Sequence, residues 1–330
     1  MAGPPPPPGS EIRPPFRAVF MGTPQLAAHI LEQLLIAPDG PVRVAGVVTR
    51  PDQPRSRGLK LGASEVAVVA EKYAIPVLKP ARIKTAEFLG GLNELEPELL
   101  IIAAYGRILP KQVLDAASIM PINVHASLLP RFRGAAPIEG AILAGDDETG
   151  VTIMRVTERM DAGPILLQRR IPIAPTDTQG SLKTRLADLG ARALLEALAL
   201  LRRGQLSETL QDENLATYTS PITKQDGVVD WNDDARRIER MVRAYDPWPV
   251  ARTTLSADEM LIWRAQALEE PVEAATAAPG SIVSVGREPL VKCGVGTLAL
   301  LEVQAAGRRR MAAADFIRGR RTTIGTRLGI

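Results

Sequence analysis

The first clear pattern begins at Phe16, where Arg17 to Met21 is a short strand-like run ending in the turn Gly22-Thr23-Pro24. Ala27, Ile30, Leu31, Leu34 and Leu35 then recur at helical spacing, and Val42 to Thr49 is β-branched enough to predict the next strand. Thr23 is the expected N-cap of that helix and Pro24 its first residue, where a missing N–H costs nothing. Strand, helix, strand at this length is a βαβ unit, which requires a parallel sheet covered on both faces. The alternation continues through a helix over Ser64 to Tyr73, a strand over Ile75 to Leu78 and a helix over Ala86 to Leu95. Leu99 to Ala104 reads as a strand buried on both faces, Pro110 to Ala117 as a short helix, and Ile119 to His125, Val151 to Val156 and Ile165 to Ile173 as further strands. Leu182, Leu186, Leu189, Leu194, Leu198 and Leu201 mark a long amphipathic helix stopped by Gly204.

Beyond Gly204 the pattern changes. Gln205 to Thr219 is polar, and short strands are predicted at Gly227 to Trp231, Ala251 to Leu255, Glu259 to Trp263, Gly280 to Val285, Leu290 to Val295 and Leu298 to Val303. A helix at Ala235 to Ala244 precedes Pro247-Trp248-Pro249. Short strands at fairly even spacing point to a small β-barrel, OB-like, or a sandwich. The expected organisation is a disordered, Pro-rich leader at 1–15, an α/β domain with a doubly wound, mainly parallel, Rossmann-like sheet at 16–204, a linker at 205–222, and the β-barrel domain at 223–330.

Composition narrows the classes. The chain has 330 residues, 45% hydrophobic and 23% charged, with a formal charge of only +3. Any attraction to nucleic acid must therefore come from local clusters of arginine. No apolar run approaches the roughly 18 residues that span a bilayer. A single cysteine, Cys293, excludes an internal disulfide and any multi-cysteine zinc site, and agrees with a reducing, cytoplasmic setting. The leader has no apolar segment and does not read as a signal peptide.

Two histidines are present. His29 shares the polar face of the first helix with Gln25 and Gln33 and reads as surface. His125 ends the run Ile122-Asn123-Val124-His125, so Asn123 and His125 fall on the same side of a strand, at its carboxyl end. Open α/β sheets bind ligands there. An amide donor beside an imidazole can stabilise an oxyanion and move a proton, although a merely hydrogen-bonded buried histidine is the commoner case.

His125 also opens the run His-Ala-Ser-Leu-Leu-Pro-Arg-Phe-Arg-Gly-Ala-Ala-Pro, ending at Pro137. With Met21-Gly-Thr-Pro24, Thr49-Arg-Pro-Asp52, Ala104-Tyr-Gly-Arg-Ile-Leu-Pro110, Thr149-Gly-Val-Thr152, Met160-Asp-Ala-Gly163, Val229-Asp-Trp231 and Asp246-Pro-Trp-Pro249, it resembles the folate-dependent formyltransferase family over nearly the whole chain after the leader. The resemblance implies a catalytic trio of Asn123, His125 and Asp161. It also implies a tetrahydrofolate cradle at Ser127, Leu128, Leu129 and Pro130, and a pterin-lining loop at Tyr105, Gly106, Arg107, Ile108 and Leu109. The expected reaction moves the formyl group of 10-formyltetrahydrofolate onto the amine of the methionine carried by initiator tRNA, for translation initiation, with no metal. In that scheme Asn123 and a protonated His125 hold the oxyanion, and Asp161 is the anion that keeps the imidazole charged. The family grips tRNA through the loop containing Arg55, Arg57 and Lys60, and a second basic cluster lies at Arg308, Arg309 and Arg310. A monomer is expected.

Other readings stand beside these. Asp161 could simply tighten a turn, and Arg131 and Arg133 could be a solvated face or a lock around Gly134. The C-terminal arginines could merely keep a tail soluble. A nicotinamide dehydrogenase fits poorly, because the first βα turn has one glycine where the dinucleotide fingerprint wants three. A formyltransferase acting on glycinamide ribonucleotide is disfavoured by Thr23-Pro24 and Met154, at positions where that enzyme carries a phosphate loop and a histidine. An amino-sugar formyltransferase is the chief alternative. A tRNA-binding protein without catalysis disagrees with the intact trio.

Overall fold

The computed structural model describes residues 13–38, 40–55, 60–269 and 276–329. The backbone groups into two compact units, the first comprising 13–137, 148–171 and 183–219, the second 138–147, 172–182 and 220–329, within the described residues.

In the first unit, β1 (Phe16–Gly22), α1 (Gln25–Ile36) and β2 (Val42–Val48) form the expected opening βαβ, and a short hairpin of β3 (Gln53–Arg55) and β4 (Lys60–Gly62) follows. Next come α2 (Glu65–Lys72), β5 (Val77–Leu78), α3 (Ala86–Glu94), β6 (Leu99–Ala103), α4 (Lys111–Leu114) and β7 (Met120–His125). After β8 (Arg133–Gly134) comes α5 (Pro137–Ala144), which from Ile138 on falls in the second unit. The chain then forms β9 (Glu148–Arg155), β10 (Ile165–Pro172), the long α6 (Gln179–Arg202), whose first turn also falls in the second unit, and β11 (Tyr218–Thr219). The main sheet has the order β10-β9-β7-β6-β1-β2-β5. It is parallel from β5 through β7, and β9 pairs antiparallel with β7.

Packing explains why these runs became strands. Leu99 to Ala103 is wholly buried, as a central strand covered on both faces must be. On one face Val19, Met21, Val48, Leu100 and Ile102 pack with Phe88 and Leu92 of α3 and with Tyr105 and Leu109. At Gly190 of α6, an added Cβ would lie 3.0 Å from Val124 and 3.5 Å from Ile30. The small residue therefore lets α6 sit close on the other face. The cap of α1 differs from expectation. Pro24 itself is the N-cap, and the buried Thr23 hydroxyl has no hydrogen-bond partner among the described residues. Ser64 and Thr85, by contrast, cap α2 and α3 by accepting from Ala67 N and Phe88 N. His29 is not plain surface, since its Nε2 lies 2.6 Å from Asp188.

The second unit is built on α7 (Ala235–Ala244), β12 (Ala251–Leu255), β13 (Asp258–Leu268), β14 (Ile282–Ser284), β15 (Leu290–Lys292), β16 (Thr297–Ala305), β17 (Met311–Ala312) and α8 (Ala313–Gly319). Its antiparallel sheet has the order β12-β13-β16-β15-β14, with β17 on β16. The tail bridges both edges, Leu328 to Leu255 and Arg327 to Ser281, so the sheet closes on itself. Trp231 anchors the interior, its indole donating to Thr253 Oγ1 at 3.0 Å. The strand predicted at Gly227 to Trp231 is instead a 3-10 turn (Gln225–Gly227) followed by a single bridge from Val228 to Arg252. Helix α8 was not foreseen; Ala313, Phe316 and Ile317 are buried on it.

Candidate active site

Asn123 and His125 leave the carboxyl end of β7 on the same side, as the alternation requires. Asn123 pairs with Ile102 of β6 and Met154 of β9, and His125 pairs with Thr152. His125 is 6% exposed. Its Nε2 lies 3.0 Å from the carbonyl oxygen of Phe132. A carbonyl only accepts, so Nε2 carries a hydrogen and Nδ1 is the nitrogen available for chemistry. Asp161 Oδ2 stands 3.7 Å from that Nδ1. The Asn123 amide is half-buried and makes no side-chain hydrogen bond to another described residue. It is open to an incoming oxygen.

Asp161 is held on a backbone of φ 48°, a region Asp tolerates better than most side chains but that is uncommon for any residue other than glycine. Its Oδ2 accepts from Gly134 N at 2.8 Å, and its carbonyl accepts from Gln211 Nε2 at 2.8 Å. Gly163 finishes the turn, and a Cβ there would fall 1.9 Å from the Arg155 carbonyl oxygen. Gly134 is equally constrained, with φ of 108° and a Cβ position 2.3 Å from Thr219 O.

The segment after His125 is tied down from within. Ser127 Oγ donates to Arg131 O at 2.7 Å. Thr152 Oγ1 donates to Ser127 O and accepts from both Leu129 N and Gln168 Nε2. That uses the full capacity of a hydroxyl. Ser127 and Leu129 are therefore buried supports, while Leu128 and Pro130 keep part of their surface open. In the neighbouring loop Tyr105 and Leu109 also point into the core. The Tyr105 hydroxyl is buried without a hydrogen-bond partner among the described residues, and burial pushes its pKa up. Gly106 and Ile108 are the exposed members; Arg50 donates to Gly106 O and Arg107 to Pro80 O and Ala81 O. Of the folate residues named from sequence, the loop backbone, Leu128, Pro130 and Ile108 thus offer surface, and Ser127, Leu129, Tyr105 and Leu109 shape it from behind.

Arg133 decides one open alternative. It is 0% exposed and is no solvated face. Its guanidinium donates to Gln211 Oε1, to both oxygens of Glu213 and to the Tyr218 hydroxyl. These bonds hold the Glu213 carboxyl below its usual range. Residues 205–219, read as loop and linker, are in fact woven into this site. Thr209 pairs with Ile165, Thr217 Oγ1 accepts from Phe132 N, and β11 runs parallel to β8. Sequence reasoning missed Gln211, Glu213, Thr217 and Thr219, because isolated polar residues in a polar stretch carry no periodic signal.

Of the basic residues assigned to RNA, Arg57 lies outside the described residues, as do the side chains of Arg55 and Lys60, whose backbones pair across the β3–β4 hairpin. Arg308 and Arg309 are exposed on the turn between β16 and β17. Arg310 stacks on the Trp263 ring, 3.2 Å from its centroid. Arg318 and Arg320 are paired with Asp315 and Asp258. The sole cysteine is unsuited to nucleophilic work, since burial pushes the Cys293 thiol up to about 12. Among the described residues no group of three His, Cys, Asp or Glu side chains could hold a metal, and no helix is long and apolar enough to cross a membrane.

A mainly parallel sheet in which β7 ends in an amide and an imidazole, with a carboxylate clamped beside the imidazole, is accompanied by sequence kinship. The Formyl transferase pattern matches residues 16–198, and the Formyl transferase, C-terminal domain pattern matches 221–321. The chain belongs to the formyl transferase family. It is 46% identical, over 95% of its length and 100% of the relative's, to a protein of Methylococcus capsulatus named methionyl-tRNA formyltransferase. A protein of Pseudomonas fluorescens with the same name is 43% identical over 96% of this chain and 98% of its own. The fold is shared with HypX from Aquifex aeolicus, solved in complex with tetrahydrofolic acid, at 18% identity and a TM-score of 0.61. That match covers 94% of this chain and 48% of the larger HypX chain.

Proposed function

We propose that this enzyme transfers the formyl group of 10-formyltetrahydrofolate to the amino group of methionine on initiator tRNA. The observation that carries the mechanism is the approach of the Asp161 carboxylate to within 3.7 Å of His125 Nδ1, at the strand end that also carries Asn123, whose amide has no hydrogen-bond partner among the described residues. Substrate choice rests on relatives matched over nearly their full length at 40–46% identity that carry the name methionyl-tRNA formyltransferase. An amino-sugar acceptor has no comparable support.

The amine nitrogen attacks the formyl carbon, and the new C–N bond places negative charge on the formyl oxygen. Asn123 donates an amide N–H to that oxygen, and His125 Nδ1–H donates a second bond. Asp161, fixed by Gly134 N–H, keeps Nδ1 facing the reacting atoms. The proton lost by the amine passes to the folate nitrogen, through Nδ1 or a water, as the bond from that nitrogen to the formyl carbon breaks. The apolar surfaces of Leu128, Pro130 and Ile108 suit a planar pterin, and neighbouring loop carbonyls suit its donors. Exposed Arg308 and Arg309, with the Arg55, Arg57 and Lys60 loop, are assigned to the RNA backbone. The activity serves translation initiation in the cytoplasm.

The decisive assay supplies labelled 10-formyltetrahydrofolate with methionine-charged initiator tRNA, uncharged tRNA, free methionine or a nucleotide-linked amino sugar. Label is expected on the charged tRNA alone. Faster transfer to the amino sugar would refute the assignment.

A further inference from the structure

The structure assigns to Gln211 the positioning of Asp161 for transfer, an inference that rests on the reading of Asp161 given above. Gln211 lies in the stretch between the two family-matched regions. Its side-chain amide is fully used. Nε2 donates to Asp161 O at 2.8 Å and to Gly163 O at 2.7 Å, and Oε1 accepts from Arg133 Nε at 3.1 Å and Nη2 at 2.9 Å. A carboxamide has two donors and two acceptor sites, so no capacity is left over. Arg133 is itself buried and locked by Glu213 and Tyr218. The clamp is therefore anchored at its far end.

Its target is the strained part of the site. Asp161 sits at φ 48°, and a residue held there persists only where its surroundings over-determine it. Gly134 N–H fixes the carboxylate, whereas Gln211 fixes the peptide that carries it. Grasping the carbonyls on either side of Ala162 blocks rotation of the Asp161–Ala162 peptide. Without those bonds the backbone is free to relax toward negative φ, which swings Oδ2 away from His125 Nδ1. Small displacements of this kind are costly, about a hundredfold in rate for a misplacement near 1 Å. Among the described residues Gln211 makes no hydrogen bond to Asn123 or His125; its bonds run to the Asp161 turn and to Arg133.

The informative substitution is Gln211→Glu in the full-length protein. It keeps the length and the bonds to Arg133, but sets an oxygen against the carbonyls of Asp161 and Gly163. Gln211→Met serves as the second variant, removing all of these bonds without adding charge. Rates are normalised to folate-binding sites titrated in each preparation. Both variants are expected to lower kcat by roughly 10- to 100-fold, with folate affinity and the KM for charged tRNA unchanged. In an Asp161→Ala background neither should lower kcat further, because the residue they act through is gone. Wild-type kcat in the single variants, or the same proportional loss in both backgrounds, overturns the positioning role. Asp161→Ala turning over at the wild-type rate instead overturns the reading of Asp161, and the inference with it. A slow Asp161→Ala beside fast Gln211 variants overturns the inference alone.

Discussion

Replacing Asn123 with alanine separates folding from turnover more cleanly than any other change in this site. The side-chain amide is half-buried and has no hydrogen-bond partner among the described residues, so its removal orphans no internal donor or acceptor. Backbone pairing of β7 with β6 and β9 is untouched, since Asn123 enters both ladders through its main chain. The cost to stability should stay within about 1 kcal/mol. Its cost in the transition state is different. One donor aimed at a developing oxyanion is worth about 2.7–4 kcal/mol, or roughly 10²- to 10³-fold in turnover. The assay is single-turnover formyl transfer to charged initiator tRNA under enzyme excess, so that product release does not hide the step, alongside folate titration and urea denaturation. Full folate binding and near-native stability, with turnover reduced by that factor, is the expected result. A loss of less than tenfold, or one matched by weakened folate binding, would refute the oxyanion role of Asn123.

Arg133→Met should destabilise the first unit by about 3 kcal/mol, read from its denaturation midpoint, because Gln211 Oε1 is left without its donor while the half-exposed Glu213 rehydrates. Glu213 is held below the ordinary carboxylate range, so its contribution is complete above that range and is lost as pH falls from it through the lowered folded-state value. Stability measured against pH should therefore fall less steeply on the acid side in Glu213→Gln than in the wild type. Gly163→Ala should cut turnover and stability together, since the added methyl meets the Arg155 carbonyl oxygen at 1.9 Å; a fully active, stable variant would show that the turn can move without consequence. Affinity for charged tRNA should fall linearly with salt on logarithmic axes, and replacing both Arg308 and Arg309 with alanine should flatten that line. An unchanged slope would remove this turn from the RNA contact.

Much of the catalytic side was legible from local pattern. Alternation along Ile122 to His125 placed Asn123 and His125 together at a strand end, because side-chain direction in a strand is a property of the strand alone. The buried run Leu99 to Ala103 and helix α7 were likewise predictable from periodicity, and the family motifs pointed to Asp161. Tertiary structure decided what depends on distant partners. The reach of Asp161 toward Nδ1 is set by Gly134 and Gln211, which lie 27 and 50 residues away in the chain. Arg133 could be a surface charge or a lock until Glu213, 80 residues on, was found bonded to it. Helix α8 is held by burial of Ala313, Phe316 and Ile317 in a run dominated by arginine, where charge masks the apolar spacing. Polar side chains with long-range partners leave no periodicity behind them. The sequence by itself therefore determined most of the longer strands, the shared strand end of Asn123 and His125, and the family, and only the folded chain determined how the Asp161 carboxylate is held in place.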